Sequence, residues 1–444
     1  MTATDTPRLG VTSLLSLAAS SAALVSPTAG AAPGDPIGPP IIVANDVGAI
    51  DVARAGNGRI VASYLKSGAL MAKRYAADGT PQGAPITVTA SPGFQVSGGV
   101  SMDADGDFVV AWATLEDRRE QIRAQRYAAD GTAQGGTIEV ASVLATTTML
   151  GSLVRTEQGL SGLTVDMNAD GDFAVLFSDY QQSLVGNQLA CKYLLGAVCT
   201  TNVSESLRLR RYDQFGAPKG LTSLVTAVSE RNVEVGGLAD LTAGRIITGT
   251  DVEMRADGST VVAWSTQGLA ARVERGHLYT RAVGANGLAR LTREIGTASS
   301  VFRADVRLDS AADGSVALVH RSIDYSQTAG ALDCGVELDL LAGDGTPLKP
   351  RTRVDLPGNA FDCLPAPDVS IDAAGNHVVA FREAGGLLAQ RYAAGGTALA
   401  GLFNVTEPDV IRQGPVIASD AVGNFVIGYT LAGGDFVLRL HEGP

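Results

Sequence analysis

Short apolar runs recur along the chain, and a glycine turn separates each run from the next. The fullest copy is Val100 to Trp112, VSMDADGDFVVAW, followed by Ile122 to Val140, IRAQRYAADGTAQGGTIEV. In the run FVVAW the side chains are apolar at every position, so both faces of the strand are apolar. A strand with one face in water would alternate apolar and polar residues. The pattern therefore predicts strands that are covered on both sides by neighbouring sheets.

The repeat occurs seven times and has two hairpin turns. The first turn is centred in successive copies on Gly58, Gly106, Gly171, Gly258, Gly314, Gly375 and Gly423. A second turn follows six of these, at Asp78-Gly79, Asp130-Gly131, Phe215-Gly216, Asn286-Gly287, Asp344-Gly345 and Gly395-Gly396. Glycine favours hairpins because it adopts positive φ without a Cβ clash. Four short antiparallel strands per repeat predict the blade of a β-propeller.

The seventh copy lacks its fourth strand, because the chain ends soon after Phe436 to Leu440. The segment GPPIIVA, Gly38 to Ala44, has the pattern of that strand and stands alone before the first copy. We expect it to complete the last blade, with Ile41 to Val43 beside Val437 to Leu440, because closure removes an open sheet edge. The prediction is an all-β, seven-bladed propeller that forms one domain over residues 32–444. A solenoid and two smaller β domains are the alternatives.

The first 31 residues have the pattern of a signal peptide. Arg8 precedes an apolar stretch from Val11 to Val25, and Ala29-Gly30-Ala31 suits cleavage before Ala32. An amphipathic or lipid-anchored leader is the alternative, although no cysteine lies near the junction. The later apolar runs are too short to cross a bilayer as helices. We expect a secreted, periplasmic or cell-surface protein.

The net charge and the cysteine content limit which binding partners and which cellular compartment can be expected. The net charge of −12, without a basic stripe, argues against nucleic acid or an anionic membrane as a partner. Four cysteines in an exported chain predict two disulfides. The local pairing of Cys191 with Cys199 and Cys334 with Cys363 is favoured over the two other pairings. Their spacing, with no histidine close by, argues against zinc.

Propeller geometry assigns the connections to two faces. The turns inside both hairpins lie on one face, here called the turn face. The connections between second and third strands and between blades lie on the other, the loop-rich face. That face receives long irregular links at residues 141–162, 178–206, 226–250 and 321–333, which predicts ligand binding there.

Two acid–tyrosine pairs are the candidate ligand-binding residues on the loop-rich face. Asp179-Tyr180 and Asp324-Tyr325 occupy equivalent points, just after the second strands of copies three and five. A tyrosine ring can stack on a sugar while the adjacent carboxylate accepts its hydrogen bonds. Packing of the tyrosines at the blade edge is the alternative.

Other candidate chemistry is weaker. Asp166-x-Asn168-x-Asp170-Gly matches the start of a calcium loop, but Phe177 stands where such a loop needs glutamate, so turn formation is favoured. The histidines are scattered over different copies, and structural or surface roles are expected for His277, His320, His377 and His441. We predict no cofactor, no metal and no catalytic residues.

The residues DADGDFVVAW and IRAQRYAADGTAQGG resemble a repeat of exported bacterial proteins, including adhesin-like and hemolysin-type chains. The resemblance implies a secreted or surface propeller, mostly without known activity. We predict a monomeric, non-catalytic module that binds a glycan or a protein on its loop-rich face. The alternative is a propeller hydrolase or lyase that acts on polysaccharide through acids near the central channel; a purely structural surface protein is a third. An enzyme needs two or three acids, or an acid with His or Tyr, within hydrogen-bond reach of one another.

Overall fold

The computed structural model is all-β. It describes residues 33–443 apart from 91–95, 145–147, 150–153, 186–197, 236–238, 271–272, 299–300, 325–332, 356–365, 384–385 and 407–410. Within these residues there is no helix with the length and apolar character needed to span a bilayer. The predicted signal peptide, 1–31, lies outside the described residues.

Seven four-stranded antiparallel blades surround a central channel, which confirms the predicted fold. The strands of blades 1 to 3 are β2 (Ile50–Arg54), β3 (Ile60–Lys66), β4 (Ala69–Tyr75) and β5 (Ile86–Thr89); β6 (Val96–Met102), β7 (Phe108–Glu116), β8 (Arg119–Tyr127) and β9 (Ala133–Leu144); and β11 (Val154–Met167), β12 (Phe173–Val185), β13 (Val198–Tyr212) and β14 (Ser223–Val235), with β10 (Thr148–Met149) paired to β11. The strands of blades 4 to 6 are β15 (Ala239–Met254), β16 (Thr260–Ala270), β17 (Val273–Val283) and β18 (Arg293–Ala298); β19 (Val301–Ser310), β20 (Val316–Asp324), β21 (Asp333–Leu341) and β22 (Thr352–Arg353); and β23 (Asp368–Ile371), β24 (His377–Glu383), β25 (Gly386–Tyr392) and β26 (Phe403–Asn404). Blade 7 contains β27 (Ile411–Ser419), β28 (Phe425–Leu431), β29 (Phe436–His441) and β1 (Ile41–Ala44).

Blade 7 is closed by the two ends of the described chain. Strand β1 pairs antiparallel with β29, with Ile41 opposite Leu438 and Ala44 opposite Phe436. This confirms the predicted closure. A buried ion pair also joins blade 1 to blade 7, because Arg54 Nη2 lies 2.8 Å from Asp420 Oδ2. The ring is therefore held at this joint by a strand ladder and by a buried charge pair.

The apolar side chains pack in the seams between blades, with an aromatic stack inside several blades. The first residue of the second strand stacks on the last residue of the third, as in Phe108–Tyr127, with ring centroids 4.9 Å apart. In blade 6 the first residue of the second strand is His377, which stacks on Tyr392 with ring centroids 5.1 Å apart. In blade 7 the last residue of the third strand is His441, which stacks on Phe425. Burial lowers the pKa of both histidines to about 4. These two histidines are core residues, as predicted.

Blades 3 and 4 form one continuous nine-stranded sheet. Second and third strands of blade 3 remain paired as far as Val185 with Thr200, and β14 pairs with β15 as far as Val235 with Ala239. The prediction of irregular links over 178–206 and 226–250 was therefore wrong in its detail. Long insertions must satisfy their backbone hydrogen bonds, and here the ladders continue in order to do so.

The aspartate-rich turns are held by their own side chains. Asp103 Oδ1 accepts hydrogen bonds from the backbone N–H of Asp105, Gly106 and Asp107 at 2.9 to 3.0 Å. Asn168 Oδ1 accepts from Asp170 and Asp172 in the same way. These oxygens are used to form hairpin turns, which agrees with the interpretation favoured over calcium binding.

Candidate functional site

The central channel contains a cavity of about 390 Å³, lined by the innermost strand of every blade. Six acidic residues and two arginines line it: Asp51, Asp166, Asp251, Glu253, Asp309, Asp368, Arg307 and Arg54, of which Arg54 is paired with Asp420. The acids near the channel that an enzyme was expected to use are therefore present. Whether they are free to react depends on what their oxygens already contact.

Most of these carboxylates tie one blade to the next. One oxygen accepts the backbone N–H of the residue that follows the acid, and the other accepts a backbone N–H from the inner strand of the neighbouring blade. The inter-blade hydrogen bonds are Asp51 with Val100, Asp251 with Leu308, Asp309 with Ile371, and Asp368 with Ile417, at 2.7 to 2.9 Å. The intra-strand bonds are to Val52, Val252, Ser310 and Val369. With both oxygens occupied, these four acids act as structural links.

The remaining two channel acids interact with each other. Asp166 accepts the N–H of Met254 and the hydroxyl of Ser101, while Glu253 accepts the hydroxyl of Ser310. Burial and the charge of Asp166 raise the pKa of Glu253 well above its usual value. Burial raises the pKa of Asp51 and Asp251 to about 6 and that of Asp309 and Asp368 to about 7. The channel is thus a partly protonated, hydrogen-bonded ring around Arg307, rather than a set of free acids.

A second group of polar side chains lies at the seam between blades 3 and 4. Trp264 belongs to the apolar core of that seam, and the ring of Tyr279 stacks on it at 5.4 Å. His277 lies two residues before Tyr279 on β17, so both side chains are on the same face of the strand. The two rings are parallel within 7°, with centroids 5.8 Å apart.

Both rings are held by charged partners. His277 Nδ1 lies 2.6 Å from Glu294 Oε1 on β18, and Arg245 Nη1 on β15 donates to the Tyr279 hydroxyl oxygen at 2.6 Å. We call Arg245, His277, Tyr279 and Glu294 the blade 4 cluster. Arg245 and Glu294 are exposed, whereas His277 is only 7% exposed. The cluster therefore runs from the surface to a buried imidazole.

The contacts of the cluster orient His277 and affect the pKa of Tyr279. Nδ1 is the imidazole nitrogen of His277 that faces Glu294. Burial and the charge of Glu294 raise the pKa of Tyr279, while Arg245 opposes this shift. An imidazole oriented by a carboxylate and a phenol whose pKa is raised therefore lie side by side.

The backbone around the cluster is fixed by buried polar groups. Arg303, on the neighbouring blade 5, is buried and donates to the carbonyl of Gly276 at 2.9 Å, next to His277. From blade 3, Glu205 accepts the N–H of Ile247 at 3.3 Å, two residues from Arg245. Burial raises the pKa of Glu205. Two of the three strands that carry the cluster, β15 and β17, are thus held by contacts from adjacent blades.

The structure does not bring the predicted acid–tyrosine pairs together. Asp179 lies inside β12, not after it, and forms an ion pair with Arg208. Tyr180 packs against Gly159, where an added Cβ would lie 2.6 Å from the tyrosine Cε1. Asp324 ends β20 on blade 5, two blades away, and Tyr325 lies outside the described residues. The predicted position just after the second strand was therefore wrong for both Asp179 and Tyr180, because the strand continues to Val185.

The disulfide pairing stays a prediction. Cys334, on β21, is disulfide-bonded. The side chains of Cys191, Cys199 and Cys363 lie outside the described residues.

Sequence reasoning missed the blade 4 cluster, although one signal was available. His277 and Tyr279 are two residues apart in a predicted strand, which places them on one face. Glu294 and Arg245 join them only through the register of β17 with β18 and through the reach of a long side chain across β16. Neither contact can be derived from sequence spacing.

Comparisons with known proteins add the fold class. No family model and no curated protein matches the sequence. A polysaccharide lyase, Uly1, is similar in structure with a TM-score of 0.50 at 11% identity, over 93% of this chain and 92% of that one. An ulvan lyase of family PL25 matches with a TM-score of 0.50 at 8% identity, over 93% and 94%. An α-L-arabinanase from Penicillium chrysogenum matches with a TM-score of 0.44 at 11% identity, over 78% and 93%. At these identities the likeness to the two lyases shows a shared fold.

Proposed function

We propose that this protein is an enzyme that acts on a polysaccharide and that the blade 4 cluster is its catalytic centre. One observation carries the proposal: an imidazole oriented by a carboxylate at 2.6 Å is stacked on a tyrosine whose hydroxyl is held by a guanidinium. An acid together with His and Tyr, within hydrogen-bond reach, is the arrangement that separates an enzyme from a binding module.

The geometry supports catalysis better than simple binding. A glycan-binding surface needs exposed rings and hydrogen-bond groups, but it has no need of a buried imidazole whose Nδ1 is held by a carboxylate. The channel acids are weaker candidates for binding or catalysis, because in four of them both carboxylate oxygens already accept hydrogen bonds from backbone N–H groups. We therefore propose the catalytic alternative, with the blade 4 cluster and not the channel as its active site.

Polysaccharides are the substrate class that we propose to test first. Uly1 and the ulvan lyase, which share the propeller fold, act on polysaccharides according to their names. The predicted signal peptide adds to this proposal, since polysaccharides of this kind are encountered outside the cytoplasm. Export and the resemblance to exported propeller repeats remain part of the proposal.

The experiment is a depolymerisation assay on the purified chain with a panel of neutral and acidic polysaccharides, read out as new reducing ends. His277→Gln and Tyr279→Phe are expected to lower the rate at least about a hundredfold, the usual contribution of one acid or base. Arg290→Ala, an exposed arginine in the hairpin turn between β17 and β18, is the control and should keep the wild-type rate.

Two results would overturn the proposal. If a polysaccharide binds but is never cleaved by the wild type, the protein is the non-catalytic module that the sequence first indicated. If cleavage occurs and His277→Gln cleaves as fast as the wild type, the active centre lies elsewhere.

A further inference from the structure

We infer that a cavity on the turn face, at the seam between blades 2 and 3, binds a neutral glycan chain. We call it the seam cavity. Its volume is about 850 Å³, within the range of small-molecule binding sites. Its walls come from the inner turns at residues 103–107 and 169–172 and from Gln214 and Phe215 in the outer turn of blade 3. It shares no residue with the blade 4 cluster, so the inference goes beyond the proposed function and does not depend on it.

The seam is open at this point because an arginine stays on its own blade. In blades 1 and 3, the arginine before the final tyrosine of the third strand donates to the outer turn of the next blade. Arg74 and Arg211 reach carbonyl oxygens of those turns at 2.7 and 2.9 Å. The equivalent residue of blade 2, Arg126, donates instead to Gln134 Oε1 of its own blade at 2.6 Å. Its guanidinium therefore lines the seam cavity and does not cross the seam.

The floor of the seam cavity supplies hydrogen-bond donors. Tyr127 lines it and is only 5% exposed, and within the described residues its hydroxyl has no hydrogen-bond partner. The equivalent hydroxyls of Tyr75 and Tyr212 are fully buried. Arg126 gives one N–H to Gln134, which leaves its other N–H groups for a ligand. An enclosed polar group without a partner is costly, and a ligand that supplies the partner removes that cost.

The rim of the seam cavity supplies an aromatic ring and two carboxylates. Phe215 is 77% exposed and offers a flat apolar surface on which the C–H face of a sugar ring can stack. Asp105 and Asp170 are exposed, and their carboxylates have no partner among the residues that the structure describes. The N–H of Ala104 donates to the carbonyl of Ala169 at 3.4 Å, so the two turns that carry these acids are adjacent. Both carboxylates can therefore accept hydroxyl hydrogens from one ligand.

The charge of the seam cavity favours a neutral ligand. Five aspartates and one arginine line it, which disfavours uronates and phosphate-bearing chains. Three of the aspartates, Asp103, Asp107 and Asp172, already accept backbone N–H groups, and Arg126 lies among them, so a lysine-rich peptide also fits poorly. Sugar hydroxyls both donate and accept hydrogen bonds, which matches the mixture of carboxylates, guanidinium and phenol.

The test is isothermal titration calorimetry of the full chain with defined probes. The neutral probes are xylohexaose, cellohexaose, mannohexaose and maltohexaose. Hexagalacturonate and hexalysine are the anionic and cationic comparisons. We expect at least one neutral hexasaccharide to bind and neither charged probe to bind.

Variants locate the bound glycan. Phe215→Ala should lower the affinity at least about tenfold, because the stacking surface is lost. Tyr127→Phe should lower it about fivefold, because one hydrogen bond is lost while the ring still stacks on Phe108. Leu288→Ala, an equally exposed apolar side chain in the outer turn of blade 4, is the matched control and should bind as the wild type does. Tryptophan fluorescence reports whether each variant is folded.

Three results would overturn the inference. The first is the absence of binding with all four neutral hexasaccharides. The second is binding whose affinity is unchanged in both Phe215→Ala and Tyr127→Phe, because the glycan then lies elsewhere. The third is binding of hexagalacturonate or hexalysine in preference to the neutral probes. Since no turnover is measured, a failure of the depolymerisation assay overturns the proposed function and leaves this inference unaffected.

Discussion

Replacing His377 by phenylalanine should remove part of the acid sensitivity of the fold. The repeat itself offers phenylalanine at this place, since Phe108 and Phe173 stack on Tyr127 and Tyr212 with nearly the same geometry as His377 on Tyr392. The substitution therefore keeps the ring and removes the titration.

The magnitude follows from burial. His377 is 4% exposed, and burial lowers its pKa from 6.5 to about 4. Because the unfolded chain takes up the proton first, stability from the neutral ring is complete above pH 6.5 and is lost as the pH falls towards 4. The full loss is about 3 kcal/mol, and about 2 kcal/mol of it has occurred by pH 5.

Other titratable groups make the free energy of unfolding fall, not rise, as the pH increases. The channel carboxyls Asp309 and Asp368 have pKa values raised to about 7, so the stability linked to their protonated form is lost as the pH rises through that value. These contributions are common to both proteins. They cancel when the wild type and His377→Phe are compared at the same pH.

The assay is denaturant unfolding, followed by tryptophan fluorescence, of both proteins at about pH 8 and about pH 5. We expect the wild type to lose about 2 kcal/mol more than His377→Phe between these conditions. An identical pH dependence of the two proteins would refute the reasoning, since it would mean that His377 titrates alike in the folded and unfolded states.

Further predictions concern the ring and its channel. Arg54→Ala leaves the carboxylate of Asp420 buried without its cation and should cost about 3 to 5 kcal/mol in denaturant unfolding, whereas the exposed Arg59→Ala should change little. A similar loss for both would contradict a special role of the buried pair. Phe436→Ala removes a fully buried ring from the strand that pairs with β1, and should cost about 3 to 5 kcal/mol by the same measurement. A change below about 1 kcal/mol would show that this seam is loosely packed. Asp309→Asn should unfold with a weaker decline of stability between about pH 5 and pH 8, because it lacks a carboxyl whose pKa is raised to about 7; an unchanged decline would refute that shift.

The fold could be predicted from the sequence because the features that determine it are local and recur in every repeat. Turn glycines such as Gly106, with φ of 97°, fix each hairpin, and the apolar runs fix which strands are covered on both faces. The pairing of Ile41 with Leu438 was predictable because one strand was missing from the last copy and one stood alone before the first. Each of these inferences needs only the order of residues along the chain.

The site could be predicted only in part, because it depends on contacts between strands whose register the sequence does not state. The length and irregularity of the insertion at residues 178–206 suggested a loop, but the ladder between β12 and β13 continues through it and pairs its backbone as far as Val185 with Thr200. His277 appeared isolated along the chain. Its partner Glu294 is seventeen residues further on, opposite Tyr279 in the sheet, and only the pairing of β17 with β18 makes them neighbours.

The closure of blade 7 also sets the order of events during biosynthesis. Strand β1 leaves the ribosome nearly the whole length of the chain before β29, its partner. Contacts so distant along the sequence are slow to form, and an unsatisfied strand is open to wrong pairings while it waits. A chain that lacks β29 therefore leaves β1 unpaired and the last blade incomplete, and the ring closes only when β29 has been made.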